Sequence, residues 1–318
     1  MRVTAFAPIS TGNFIVGFDV LGAALQPVDG APLGDWVTVE DAGHSITTVS
    51  GPFANALPSD PGKNIVHTCR ERYEQELIGK GLHARPNRLS LHKALPVGSG
   101  LGSSAASAVA ALQALNLFYQ NALSDRELLI LAGEMEGLIT GSVHYDNVAP
   151  ALLGGLQLLV PDERLSVGLP LPPWHLVLYY PGIEVATKTA RAVLPSHYDL
   201  HAVTAFGQRL AAFVQATVAH DWSHAAALLS DELIEAHRAP LVPGFDKGKA
   251  AALGAGALAF SLSGAGPTCI AVCPDVNVAA RVRAVLDNAF PEQANRQAWI
   301  CRFDAIGARP WPVAVPEQ

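Results

Sequence analysis

The segment Pro96-Val97-Gly98-Ser99-Gly100-Leu101-Gly102-Ser103-Ser104-Ala105-Ala106-Ser107 constrains this chain more than any other, because three alternating glycines run into a serine pair and an alanine-rich stretch. Glycine reaches positive φ without a Cβ clash and lets another molecule approach the main chain. Gly98, Gly100 and Gly102 can therefore turn successive N–H groups into one concavity. From Ser103 to Phe118 (SSAASAVAALQALNLF) small and apolar residues follow at helical spacing with no proline, which predicts a buried helix starting directly after the loop. Its N-terminus adds unpaired N–H groups and the positive end of the helix dipole. The guest that fits such a site is a phosphate.

Two commoner glycine loops are excluded by inspection. A Walker loop ends in Gly-Lys-Ser/Thr, whereas Ser103 follows Gly102, and a dinucleotide fingerprint starting at Gly98 and Gly100 needs glycine where Ser103 stands. The segment instead resembles the phosphate-loop motif of the GHMP small-molecule kinases, the family of galactokinase, homoserine kinase, mevalonate kinase and phosphomevalonate kinase. The resemblance implies an α+β protein with two domains. The N-terminal one would be the ATP-binding domain, of the ribosomal-protein-S5-domain-2-like α/β type, and the C-terminal one a ferredoxin-like α+β layer. It also implies ATP and Mg²⁺ as cofactors, and it makes Pro96, Val97, Gly98, Ser99, Gly100, Leu101, Gly102, Ser103, Ser104, Ala105 and Ala106 the ATP-binding loop.

Composition agrees with a two-domain enzyme of a small molecule. At 318 residues, 50% of them hydrophobic, the chain has material for two modest cores. A net charge of −7 with no Lys/Arg cluster argues against nucleic acid or an anionic membrane as partner. The apolar runs are too short to cross a bilayer, and MRVTAFAPIS lacks the hydrophobic block of a signal peptide, so a cytoplasmic location is expected. Cys69, Cys269, Cys273 and Cys301 show no CxxC and no His-rich spacing, which points to buried reduced thiols rather than zinc or disulfides.

Residues 2–8 and 35–41 alternate as strands, predicting antiparallel pairing near the N-terminus. Between them, Asn13 and Asp19 are the strongly polar residues of an apolar, glycine-containing loop. Each also suits a plain turn or cap. Asn64 suits the N-cap of a helix reaching about Ile78, residues 89–93 a strand feeding the glycine loop, and Ser124 to Glu127 a capping box. Pro170-Leu171-Pro172-Pro173 breaks the pattern, so the domains are expected at 1–165 and 166–318. The second half reads as a strand at 174–180, a helix around Thr187–Arg191, and helical blocks at about 200–219 and 222–237. A helix at 249–255, two strands joined by Ser263-Gly264-Ala265-Gly266-Pro267, a helix at 277–289 and a strand at 297–303 follow. Strands split by helices in this way suggest the ferredoxin-like layer.

Two further stretches resemble the homoserine kinase branch of the family. TGNFIVGFDVLGAAL matches its SxNLGxGFDxxGxAL motif at Asn13, Gly17, Phe18, Asp19 and Gly22, departing at Phe14-Ile15-Val16, and HYDNVAPALLGG matches HxDNVAPxxxGG. The resemblance implies Asn64 at the adenine ring and Mg²⁺ on Ser104 and Glu136. The family's metal-binding Glu precedes the motif's His by eight positions, and counting back from His144 gives Glu136, not Glu134. His144 would donate near the phosphates, Arg191 and Arg238 would grip a carboxylate, and Asp19, helped by Asn13, would take an α-ammonium. Thr187 would join the substrate site. Asn147 would hydrogen-bond the attacking hydroxyl, so Asn147, Glu136 and His144 form the catalytic set. The base stays open: Asn147 cannot accept a proton, and Asp146 is its neighbour. The implied reaction is phosphorylation of L-homoserine to O-phospho-L-homoserine, an intermediate on the route to threonine, by direct transfer. A homodimer is compatible with the resemblance. Another alcohol acceptor, or a nucleotide-binding regulator on the same fold, are the alternatives.

Overall fold

The computed structural model of the chain describes residues 1–58 and 60–312. At its centre lies the helix Ser103–Phe118, which buries 13 of its 16 residues; a helix that is apolar on every face has to be enclosed. One side rests on a five-stranded sheet, in the order Arg309–Pro310, Arg2–Pro8, Gly34–Asp41, Asn87–His92, Ile46–Ser50. Its other sides meet the helices Ile65–Gly79 and Asp125–Thr140. Arg2–Pro8 and Gly34–Asp41 pair antiparallel, Ala5 opposite Val37, as their alternation predicts. The flanking helices start where their caps do: Asn64 Oδ1 accepts the Val66 N–H at 3.1 Å, and Ser124 and Glu127 form a reciprocal capping box.

The second sheet has eight strands. Along it lie Ala259–Leu262, Cys269–Cys273, His175–Tyr180, Gln297–Phe303, Leu21–Pro27, Leu156–Leu159 and Ser166–Leu169, with Ser10–Gly12 paired to Leu21–Pro27. Numbered in chain order, the four strands of the second half stand 2-3-1-4, the ferredoxin-like arrangement, with Phe245–Gly254 and Val276–Ala289 packed against them. The sheet runs on through the division expected after residue 165. Gln297–Phe303 pairs with Leu21–Pro27, Leu156–Leu159 pairs with Ser166–Leu169, and Arg309–Pro310 returns to Arg2–Pro8. Main-chain hydrogen bonds therefore tie the two halves together.

Two helices differ from expectation. The block expected at 222–237 is two helices, Trp222–Ala227 and Glu235–Arg238. Asp231 Oδ1 accepts the N–H groups of Leu233 (3.1 Å) and Ile234 (2.8 Å), a local turn that competes with helical bonding. The helix expected at 249–255 begins at Phe245, directly after Gly244 in left-handed backbone (φ 93°). Arg238 ends the second of the two helices that replace the 222–237 block. All four cysteines are buried free thiols, and no helix among the described residues is long and apolar enough to cross a membrane.

One polar link in the N-terminal core escaped the strand patterns. Lys93 Nζ donates to Asp35 Oδ2 at 2.5 Å, with side-chain exposures of only 1% and 0%. It also donates to Ser103 O (2.9 Å) and Ser107 Oγ (3.0 Å), while Asp35 Oδ1 accepts the N–H groups of Ala94 and Leu95. Burial pulls the Lys93 ammonium below its ordinary range, and Asp35 pulls against it. Asp35→Asn should strand that cation at a cost of about 3–5 kcal/mol, read as a lower urea midpoint. The paired change Asp35→Asn with Lys93→Met, which keeps an acceptor for Ala94 and Leu95 and removes the cation, should recover most of that loss; a single mutant as stable as the parent would contradict this account.

Candidate functional site

A cavity of about 500 Å³ opens where the glycine loop, the 13–19 loop, the 144–147 turn, the start of helix Thr187–Ala192, Arg238 and the 264–266 turn converge. One end is built from main chain. Gly98, Gly100 and Gly102 have φ of 61°, 78° and 64°. A Cβ on Gly100 would stand 2.7 Å from Ser263 O, and one on Gly102 2.0 Å from Ser10 Oγ, so alternating glycines are required sterically as well as conformationally. The second half braces this loop: Ser263 Oγ donates to Gly100 O (2.7 Å) and Thr268 Oγ1 to Ser99 O (2.6 Å). Gly102 is the N-cap of Ser103–Phe118 and gives it no side-chain cap, leaving the first turn's amides to an external acceptor.

The predicted loop residues divide by role. Val97, Gly98, Ser99, Gly100, Gly102, Ser103 and Ser104 line the cavity, whereas Pro96, Leu101, Ala105 and Ala106 are buried and absent from its lining. Asn64 also lines it, and its Nδ2 is buried with no partner among the described residues. Ser104 Oγ donates to Glu136 Oε2 at 2.9 Å, and burial pushes the Glu136 carboxyl above its ordinary range against that hydrogen bond. Glu134 points elsewhere, to Arg72 at 2.6 Å.

Side chains make the other end. Asp19 holds both guanidinium NH groups of Arg191 at 3.0–3.1 Å. Its own N–H donates to Asn13 Oδ1 (3.0 Å), and Asn13 Nδ2 donates to Gly264 O (2.9 Å). Arg238 is buried, with Nε on Ala190 O (3.0 Å) and one NH on Gly264 O (3.3 Å). Both guanidinium groups lie over the Phe18 ring, at 5.6 Å for Arg191 and 5.2 Å for Arg238. His144 Nδ1 is 3.7 Å from Asp19, and Nε2 shares a hydrogen bond with Ser142 Oγ at 2.6 Å. Burial holds the His144 imidazole below its ordinary range, with Asp19 opposing, so it is neutral at pH 7. Asn147 Oδ1 accepts from Ser10 Oγ at 3.1 Å, and Thr187 lines the wall.

Thus Asn13, Asp19, Asn64, Ser104, Glu136, His144, Asn147, Thr187, Arg191 and Arg238 line one cavity. Asp19 and Arg191, expected on opposite ends of a ligand, are paired with each other. Three features were not anticipated. Phe18 bridges the two arginines. Val185 closes the rim with an N–H on Gly98 O at 3.0 Å, beside Glu184. Asp146 is buried against Gly12, where a Cβ would stand 2.2 Å from its Oδ2. Desolvation, then the charges of Asp19 and Glu136, push the Asp146 carboxyl up to about 7. Its sequence signals were its place in the HYDNVAP motif and beside Asn147; neither tells that it is buried.

The family model described as GHMP kinases N terminal domain matches residues 64–155, and that described as GHMP kinases C terminal matches residues 213–292. Among solved structures, a homoserine kinase from Cytophaga hutchinsonii is 33% identical with a TM-score of 0.87, covering 98% of this chain and 97% of that one. A protein of Listeria monocytogenes, provisionally assigned as a homoserine kinase, is 23% identical with a TM-score of 0.73, covering 98% of this chain and 100% of that one. An L. major mevalonate kinase in complex with R-mevalonate is 16% identical, with a TM-score of 0.65 and coverage of 95% and 96%. The last two carry the fold alone.

The raised Asp146 carboxyl makes stability depend on pH. Its folded pKa, about 7, exceeds the ordinary 3.8, so between these values the folded state holds a proton that the unfolded chain has lost. Stability from this group therefore falls as pH rises through that window, by at most about 1.4 kcal/mol per pH unit, and levels off above it. Asp146→Asn removes the titration, so its unfolding midpoint relative to the parent should be higher at pH 8 than at pH 5. An unchanged difference at the two pH values would remove the assignment.

Proposed function

The chain belongs to the GHMP kinase family, and we propose that within it this protein is an ATP- and Mg²⁺-dependent kinase that phosphorylates L-homoserine to O-phospho-L-homoserine. The observation that carries this reading is the junction, in one cavity, of an uncapped helix N-terminus behind a glycine loop with a pocket holding two arginines and an aspartate. The first suits a nucleotide's phosphates and the second suits an amino acid.

The amides of the loop and of the first turn of Ser103–Phe118 hold the phosphates. The orphaned Asn64 Nδ2 meets a ring acceptor of the base. Ser104 Oγ and the Glu136 carboxylate are hard oxygen donors side by side, a pair that fits Mg²⁺ with phosphate oxygens and water completing its shell. When bound, such an ion would neutralise charge on the phosphates. A substrate carboxylate goes to Arg238 and Arg191, whose buried Nε has no partner among the described residues. The substrate ammonium goes to Asp19, and Asn147, anchored by Ser10, orients the hydroxyl. Phosphoryl transfer is then direct, since positioning and charge stabilisation carry most of the catalysis in such reactions. His144 is a hydrogen-bonding group at the wall between Asp19 and Ser142, its imidazole held below the ordinary range by burial.

The hydroxyl proton leaves late, to the transferred group or through water. A second reading, favoured by its elevated carboxyl, has Asp146 receive it. A base of that kind is worth about 10²–10⁴ in kcat, so Asp146→Asn at MgATP saturation decides between them: a loss below about tenfold leaves direct transfer standing.

Incubation with ATP, Mg²⁺ and L-homoserine should produce ADP and phosphohomoserine, and a panel of other small alcohols should be turned over far more slowly. Turnover of a different alcohol would assign another acceptor, and no ADP above the blank would favour a nucleotide-binding regulator. Arg238→Leu should lower kcat/KM for homoserine by at least about thirtyfold with little change in KM for ATP, the loss expected when one partner of a buried charge contact is truncated.

A further inference from the structure

We infer that the Asp19–Arg191 pair is an exchangeable plug that makes the acceptor pocket select for zwitterions. The entering ammonium replaces the Arg191 guanidinium on Asp19, and the released guanidinium joins Arg238 on the entering carboxylate. This inference rests on the reading of the pocket as an amino-acid site.

The two sides of the pocket differ in freedom. Asp19 sits in left-handed backbone (φ 58°) pinned by its N–H to Asn13 Oδ1, and Asn13 is pinned in turn to Gly264 O. Arg238 is tied to main-chain carbonyls of Ala190 and Gly264. Arg191 belongs to the six-residue helix Thr187–Ala192, and its side chain is 34% exposed. Among the described residues its hydrogen bonds go to the Asp19 carboxylate alone, and its Nε has none. One shelf is fixed, and the guanidinium closing it can swing.

The charge count gives this its selectivity. At rest Asp19 faces Arg191, and Arg238 supplies a second positive charge beside the shared Phe18 ring. A zwitterion adds one charge of each sign, so after the exchange Asp19 still faces a cation and both guanidinium groups face a carboxylate. An acceptor with a carboxylate but no ammonium either draws Arg191 away and strands Asp19, or leaves the pair closed and sets its carboxylate against Asp19. Burial holds the His144 imidazole, 3.7 Å from Asp19, below its ordinary range, which makes it a poor substitute for the missing cation. An acceptor with an ammonium alone expels Arg191 with nothing to receive it. Rejection thus comes from a stranded charge as well as from a missing contact, the repulsive half of specificity.

The test is steady-state kinetics of the parent and Asp19→Asn with MgATP and two acceptors, L-homoserine and 4-hydroxybutanoate, which has hydrogen in place of the ammonium. The plug predicts opposite changes in the variant. kcat/KM for homoserine falls by at least about thirtyfold, while that for 4-hydroxybutanoate rises about tenfold or more above the parent, since no aspartate is left to strand. An unchanged KM for MgATP reports an intact cleft, and Asp19→Ser takes the place of the Asn variant where that KM is lost. If 4-hydroxybutanoate turnover stays at or below the parent's, Asp19 is an ammonium contact only and the plug is wrong. A parent enzyme that does not turn over homoserine at all overturns the kinase reading first, and the plug with it.

Discussion

The buried contact between Asp35 and Lys93 fixes where the phosphate loop begins and where the helix behind it starts. Asp35 stands at the head of one central strand and Lys93 just past the end of its neighbour. Between them they bind the N–H groups of Ala94 and Leu95, the Ser103 carbonyl and the Ser107 hydroxyl. Apolar packing is tolerant of small shifts, whereas a buried pair with all these directed bonds has one low-energy arrangement. Such a pair adds little net stability over apolar residues of the same volume. Its contribution here is geometric: the entry and exit of the loop between the strand Asn87–His92 and the helix Ser103–Phe118 are clamped to one charged point, so the glycines between them are held in one register.

A second clamp comes from far along the chain. Ser263 and Thr268 hold the carbonyls of Gly100 and Ser99, and Gly264 O ties Asn13 and Arg238 together. The same turn thus braces the glycine loop at one end of the cavity and holds Asn13 and Arg238 at the other. The 13–19 loop needs support of its own. Asn13, Phe14 and Ile15 follow one another at φ of 67°, 36° and 65°, a conformation that side chains other than glycine's disfavour. Phe14, Ile15 and Val16 are all buried, Phe14 between Phe213 and Phe303. Apolar burial holds the left-handed path here, which accounts for Phe14-Ile15-Val16 standing where the resembled motif carries glycine.

Local chemistry was the legible part of this chain. Gly98 to Ser104, the Asn64 cap, the Ser124–Glu127 capping box and most strands announce themselves through conformational rules that operate within a few residues. Motif resemblance then brought the distant polar residues to one cavity. What stayed hidden depends on topology. Asp35 and Lys93 are 58 positions apart and meet only because their strands are neighbours. The Asp19–Arg191 bond spans 172 positions, and no periodicity encodes which acid finds which base. The helix break at Asp231 was missed because an aspartate inside an apolar-periodic block reads equally as a solvated helix position. The sheet continuing past residue 165 was hidden because Pro170 to Pro173 mark a turn with or without a domain edge.

The acids at the phosphate end carry the argument one step further. Glu136 and Asp146 are both buried in the cavity wall, and desolvation raises the carboxyl of each. Uncapped amides and a helix dipole attract a polyanion, yet two ionised carboxylates beside it would repel one. On the proposed reading, this conflict would be relieved by positive charge arriving with the phosphates, a divalent cation held by Ser104 and Glu136. Free nucleotide, bringing negative charge alone, would then bind less readily than nucleotide together with its cation, so the buried acids would favour the pair over the nucleotide by itself.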